Sequence, residues 1–387
     1  MVKKICVVVT SRASYARVKT VLRAVKERPD LELFLVGAAS LILYKYGNAA
    51  EVIERDGFKI NERVYMIIEG ENPATMAKSV GVGIMELATI FDNEKPDIAI
   101  SVADRFETIC TAIAASYLNI PVAHIQGGEI SGSIDEKVRH AVTKFSSLHF
   151  VSNEFAARRV RSMGEGKETI FVTGCPSIDL AKEVRDSYAY MTTEYLYSNY
   201  GGTGAQVNID EDFIVVLQHP VTTEFQDAYS QMRETLAAIH ECQVPAIVFW
   251  PNVDAGADST AKAIRDFREQ HVVDQIHFFR NFVPEDFLAL LMRSKCLVGN
   301  SSAGIRECSF LGVPVVNIGN RQSGRERGLN VIDVDYSKSE IIDALERHLK
   351  NGRRYPSVML YGDGNAGERI ARILAETRAK VEKKFEI

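Results

Sequence analysis

Short apolar runs, each about the length of one buried strand, recur along this chain and alternate with segments of helical spacing. Residues 5–10 (ICVVVT) are a continuous, largely β-branched run, as expected of a parallel strand covered on both faces. Comparable runs at 31–36, 98–102, 120–125, 149–152 and 170–172 are separated by helical patterns. The pattern at 74–93, for example, is apolar at Met76, Val80, Ile84, Leu87 and Ile90. Strands alternating with helices predict a parallel, doubly wound sheet. Residues 186–210 are Tyr-rich and then Gly-rich, show no clear period, and are expected to be a helix-to-loop linker. The alternation restarts at 213–217, 246–250, 276–279, 296–298 and 313–318, and a charged, amphipathic helix is expected over 366–384. A length of 387 residues agrees, because ~150 residues per domain argues for more than one. The expected architecture is α/β, with two Rossmann-like doubly wound parallel-sheet domains facing a cleft.

Composition narrows the function classes. Hydrophobic residues make up 46% and charged residues 25%, which suits a soluble globular chain with a large core. A net charge of -5 predicts no global attraction to nucleic acid or to an anionic membrane. The 6 cysteines are scattered, with no CxxC pair and no metal-like cluster. No apolar run reaches ~18 residues and the chain opens directly into a strand, so a cytoplasmic protein without a membrane span is expected.

In open α/β sheets ligands bind beyond the carboxyl ends of the strands, and here those ends carry the polar residues. Residues 124–140 (HIQGGEISGSIDEKVRH) join a strand end, two glycines and a helix start. They place Glu129, Asp135 and Glu136 beside His124, Arg139 and His140, and Ser133 stands at capping-box spacing from Glu136. Arg12 follows the first strand, where a helix start suits a phosphate but no GxGxxG is present. Asp104 and Arg105 follow the strand at 98–102: Asp104 is either an acid/base group or a helix cap. His219 ends the strand at 213–217, a weak signal alone, and Trp250, Pro251, Asn252 and Asp254 form a similar burst. The sharpest local motif is GNSSAGIRE at 299–307, where Ser301 and Ser302 open a helix as an anion nest and Glu307 suits ribose hydroxyls. Residues 320–327 (NRQSGRER) form a basic loop able to clamp phosphate.

With these residues assembled, the chain resembles the UDP-N-acetylglucosamine 2-epimerase family, and within it the hydrolysing branch that serves sialic-type (nonulosonic) acid synthesis. The motifs are SRASY, YGN at 46–48, DRFE at 104–107, HIQGGEISGSIDEKVRHAVTK, GCPSID at 174–179, LQHPVTT, PNVDAG, GNSSAGIRE and NRQSGRERG. The resemblance implies a GT-B-like fold, with residues 1–180 and the returning helix 366–387 in one domain and 181–365 in a UDP-binding domain. It implies loss of UDP with removal of the C2 proton, then addition of water with inversion at C2. It also implies the catalytic set Asp104, Asp135, His219, Gln126 and Glu129. Arg12, Arg105, Arg139, Ser301, Ser302 and Arg321 are assigned to substrate or phosphate, Glu307 to ribose, and Asn252 and Phe282 to the nucleotide surroundings. Neither metal nor cofactor is implied, and the expected partners are a UDP-sugar, UDP and a second copy in a homodimer or homotetramer. Two positions depart from the family: Gln126 and Ser14 stand where acidic residues are common. An amide cannot exchange a proton at neutral pH, so Gln126 is expected to orient the sugar or water. UDP-N,N'-diacetylbacillosamine is therefore an alternative to UDP-N-acetylglucosamine. A non-hydrolysing epimerase, a GT-B glycosyltransferase and an inactive sugar sensor are the remaining readings.

Overall fold

In a computed structural model, which describes residues 2–44, 49–70, 72–132, 134–187, 190–251 and 254–385, the apolar runs become the strands of two sheets. The first sheet contains β1 (Lys3–Val9), β2 (Leu31–Ala38), β3 (Glu62–Val64), β4 (Ile98–Val102), β5 (Val122–Ile125), β6 (Leu148–Val151) and β7 (Ile170–Val172). Its order is β3-β2-β1-β4-β5-β6-β7, with every pairing parallel. The second contains β8 (Gly202–Gly204), β9 (Ile214–Leu217), β10 (Ala246–Phe249), β11 (Ile276–Phe279), β12 (Leu297–Gly299), β13 (Val315–Ile318) and β14 (Val331–Val334). Its order is β14-β13-β12-β9-β10-β11-β8, parallel except where β8 pairs antiparallel with β11. One compact unit holds Met1–Ile130, Ile134–Leu180 and Tyr361–Ile387, and the other holds Ser131–Ser133 and Ala181–Leu360.

β1 shows why the runs are unbroken. Ile5, Val7 and Val9 face one core with Val21, Leu22, Ile370 and Leu374, while Cys6 and Val8 face another with Leu87, Phe91 and Cys110. Both faces are covered, so a polar residue would be buried at either period-2 position. Each fully buried Val, Leu or Ile contributes roughly 1.5–3 kcal/mol. The helix Ala366–Glu376 completes the first of these cores. Asp179 fixes its start, accepting from the N–H groups of Ala366 (2.9 Å) and Gly367 (2.7 Å) and from Thr20 Oγ1 (2.9 Å).

Several local expectations are corrected. The helix start at Arg12 opens only the short helix Arg12–Ala16, and Arg17 and Val18 separate it from a second, Lys19–Lys26. The segment taken for an irregular linker contains the helix Thr193–Asn199 and the edge strand β8. The last helix stops at Glu376 rather than near 384. The helix after Gly128 begins at Asp135, and Ser133, to which a capping role was given, lies outside the described residues, as does the YGN motif apart from its flanks. One helix, Pro73–Glu94, is long and apolar enough by length and composition to cross a membrane, which the unbroken-run criterion missed because Lys78 and Glu86 interrupt it. It packs Ser79, Gly83, Leu87 and Phe91 inward as the crossover between β3 and β4.

Candidate active site

Strand order reverses between β1 and β4 in the first sheet and between β9 and β12 in the second. Such switch points open a crevice at the carboxyl ends of the strands. The residues that end these four strands are the ones the sequence singled out.

In the first unit, Asp104 follows β4 and Arg17 lies beyond β1, and Arg17 Nη1 reaches Asp104 Oδ1 at 3.3 Å across the switch point. The other carboxylate oxygen takes Nη2 of Arg139, which is 1% exposed. Arg139 Nη1 also donates to the Glu129 carbonyl (2.9 Å) and Glu136 Oε2 (3.0 Å). Burial works against the charge of Arg139, but Asp104 and then Glu129 outweigh it and raise its pKa. Ala103, just before Asp104, takes a left-handed φ of 65°. Its carbonyl is held by His124 Nε2 at 2.9 Å, so that nitrogen carries the proton, and burial lowers the His124 pKa to about 3. His124 is thus a neutral brace behind Asp104. Asp135 opens the helix Asp135–Phe145 and is half-buried, one turn before Arg139. Arg12 opens its own helix behind a Ser11 capping box, in which Ser14 Oγ accepts from the Ser11 N–H at 2.8 Å. Ser14 therefore does the capping work that an acidic side chain can do there.

Other predicted residues are placed differently. Arg105 Nε pairs with Glu107 Oε1 at 2.8 Å, both side chains being buried. Glu129 is buried and accepts from Ser152 Oγ at 3.1 Å. Gln126, at φ 69°, donates through Nε2 to Cys175 Sγ at 2.7 Å, and Cys175 Sγ lies 2.9 Å from Ser177 Oγ. The Gln126 Oε1 atom is buried without a hydrogen-bond partner among the described residues. Gly128 is required: at φ 75° a Cβ would stand 2.4 Å from the Ala156 carbonyl oxygen.

In the second unit Asn300, fully buried after β12, clamps the end of β9. Its Oδ1 accepts from the His219 N–H (2.7 Å) and its Nδ2 donates to the His219 carbonyl (2.8 Å). The Asn300 carbonyl in turn accepts from Arg321 Nη1 (3.2 Å) and Gln322 Nε2 (2.9 Å). One residue thereby ties His219 to the basic loop. Gly299 lets the strands approach, since a Cβ there would lie 2.1 Å from the Leu217 carbonyl oxygen. Ser301 caps the four-residue turn Ser302–Ile305, accepting from the Ala303 N–H at 3.3 Å. Ser302 Oγ accepts from Nη2 of the buried Arg306 at 2.8 Å. Glu307 is buried beside Arg306 at 4.0 Å. The Phe282 ring is 3% exposed and stacks on Tyr200 with centroids 4.0 Å apart, so its face is already covered. Asn252 lies outside the described residues. Arg17, Asn300 and Cys175 belong to these centres and were not singled out from sequence: Arg17 sits at the end of a helix start, and the other two are neutral residues inside quoted motifs. Among the described residues no group of three His, Cys, Asp or Glu side chains is arranged to hold a metal ion.

The model of the UDP-N-acetylglucosamine 2-epimerase family matches residues 23–375. The chain belongs to this family. It is 32% identical over 375 residues to the UDP-N,N'-diacetylbacillosamine 2-epimerase (hydrolyzing) of Legionella pneumophila, covering 97% of this chain and 96% of that one. It is 30% identical over 359 residues to the UDP-N-acetylglucosamine 2-epimerase of Neisseria meningitidis, covering 91% and 89%. The crystal structure of the Methanocaldococcus jannaschii UDP-GlcNAc 2-epimerase in complex with UDP-GlcNAc and UDP has the same fold, with a TM-score of 0.80 at 19% identity over 97% of this chain and 100% of that chain. This 2-epimerase family member is accordingly an enzyme of the UDP-sugar 2-epimerase type with a GT-B-like pair of parallel-sheet domains.

Proposed function

We propose that this protein is a hydrolysing 2-epimerase that converts a UDP-2-acetamido sugar and water into the free 2-epimer and UDP. The observation that carries the reading is the Asp104 carboxylate, buried at a switch point and oriented by Arg17 and Arg139, with Asp135 on the helix that supplies Arg139. In the first half the C1–O bond breaks, UDP leaves with the electron pair, and a carboxylate takes the C2 proton to give a 2-acetamidoglycal. In the second half water adds its hydroxyl at C1 and C2 is protonated on the opposite face. Asp104 and Asp135 are the acid and base, and Gln126 and Glu129 orient the sugar or water. His219, Ser301, Ser302 and Arg321 bind the diphosphate, and Glu307 the ribose. Arg12 supplies a further positive charge for the phosphates.

UDP-N-acetylglucosamine is the first substrate to test, for a pathway to sialic-type acids. UDP-N,N'-diacetylbacillosamine is favoured by a separate observation, the full-length similarity to a hydrolysing enzyme named for that sugar, together with the amide at Gln126. Each nucleotide sugar should be incubated with enzyme in deuterium oxide and followed by proton NMR. Free 2-epimer carrying deuterium at C2, with UDP, is the expected outcome. UDP release without C2 label, or a UDP-bound 2-epimer, would overturn the hydrolytic elimination. Asp104→Asn should lower kcat by roughly 10²–10⁴-fold, the range of a lost general acid or base.

A further inference from the structure

From Thr377 to Phe385 the chain is not helical, yet one lysine of this tail is held by more acceptors than it has protons. Lys383 Nζ donates to the carbonyls of Thr143 (3.0 Å), Lys144 (2.8 Å) and Ser146 (2.7 Å). It also lies 2.6 Å from Oε2 of Glu165, whose side chain is 1% exposed and which in addition binds Lys144 Nζ (2.7 Å) and His149 Nε2 (3.0 Å). The three carbonyls end the helix Asp135–Phe145, where the last turn runs short of intrahelical donors and the Ser146 N–H reaches only the Thr143 carbonyl (3.1 Å). A cation there also meets the negative end of the helix dipole.

The anchored turn leads to the proposed acid/base centre by two routes. Thr143 Oγ1 donates to the Arg139 carbonyl at 3.0 Å, and Arg139 holds Asp104. The same Oγ1 lies 3.2 Å from His124 Nδ1, whose Nε2 holds the carbonyl of Ala103 next to Asp104. We propose that Lys383 is a positioning residue for the reaction, a strap that fixes the register of the Asp135–Arg139 helix against Asp104. This rests on the catalytic roles assigned above. A displacement of ~1 Å at such a site can cost 10²-fold in rate, so a remote anchor can act on turnover with little effect on binding.

The test compares Lys383→Met, Lys383→Arg and, as a control at an exposed neighbour, Lys384→Ala, in the full chain. Lys383→Met keeps the aliphatic stem and removes the ammonium. Its kcat should fall about tenfold or more with KM changed less than about twofold, because alignment rather than binding is lost. Amide hydrogen exchange over 139–146 should quicken there while the β1 and β4 amides keep their protection. Lys383→Arg should recover most of both properties and Lys384→Ala should match the unaltered protein. An unchanged kcat with unchanged exchange overturns the strap, and so does exchange that quickens evenly across the whole unit. If the unaltered protein turns over neither nucleotide sugar, the functional reading fails while the exchange measurement still decides the strap.

Discussion

The contact that most sharply tests the site is Arg139 with Asp104, because both partners are buried. Removing one member of a buried ion pair leaves the other uncompensated, at ~3–5 kcal/mol. Arg17 still pairs with Asp104 in Arg139→Met, so this variant should lower unfolding stability by less than that amount in urea titrations. Arg139→Met with Asp104→Asn should be less damaging than the sum of the single changes, and additivity would count against the pairing. At Asn300 the expected loss is of nucleotide binding. Asn300→Ala frees both polar groups of the His219 backbone while keeping the main-chain carbonyl that holds the basic loop, so KM should rise while proton chemistry at C2 is retained. Gln126→Glu places a carboxylate against the Cys175 thiol, and the ratio of kcat/KM for the two nucleotide sugars should shift. A ratio equal to that of the unaltered protein would remove Gln126 from substrate choice.

Among the elements, those that bury both faces were legible and those that rely on edges or side-chain caps were not. β9 is apolar throughout, and β1, β4, β5 and β13 are mostly buried and mostly apolar, with Ser101, His124 and Asn317 as the polar positions inside β4, β5 and β13, because a covered sheet demands it. β8 is Gly-Thr-Gly and fully exposed, and it forms only because the β11 edge offers unpaired backbone groups. β14 (VIDV) is half-exposed and alternates too briefly to stand out. The break after Ala16 escaped notice because Arg17 and Val18 are both compatible with a helix. The stop is set by tertiary contacts, with Tyr15 bonded to Asp56 and Lys19 paired to the same carboxylate at 2.7 Å. The interruption is useful chemically, since it sends Arg17 towards Asp104. The carboxylate and serine motifs of the site were visible because polar residues at strand ends contrast with the apolar runs. The second layer was not, because an asparagine or cysteine inside a motif carries no such contrast. Ser11→Ala should cost ~1 kcal/mol by loss of the cap, measured as a lower denaturation midpoint.

For the whole molecule, buried histidines set the response to acid. Burial holds His124 at about 3 against ~6.5 in an unfolded chain, so from pH 6.5 down to about 3 the unfolded state binds the extra proton. The stabilisation is complete above that window and is lost within it at ~1.4 kcal/mol per pH unit. Burial lowers His149 as well, which adds in the same sense. Glu165 acts at lower pH: burial opposes its charge, but hydrogen bonds from His149, Lys144 and Lys383 bring it to about 2, so its contribution fades between ~4.3 and 2. Denaturation midpoints should fall steadily from pH 7 to pH 5, and a flat profile would contradict these burials. The helix Ala366–Glu376 has a consequence for synthesis. Ile370, Ala371 and Leu374 cover the β1 face, yet they are translated after the whole of Ala181–Leu360. The first unit to begin emerging from the ribosome is therefore the last to close, and its uncovered sheet must wait, exposed to chaperones, until the second unit has been made.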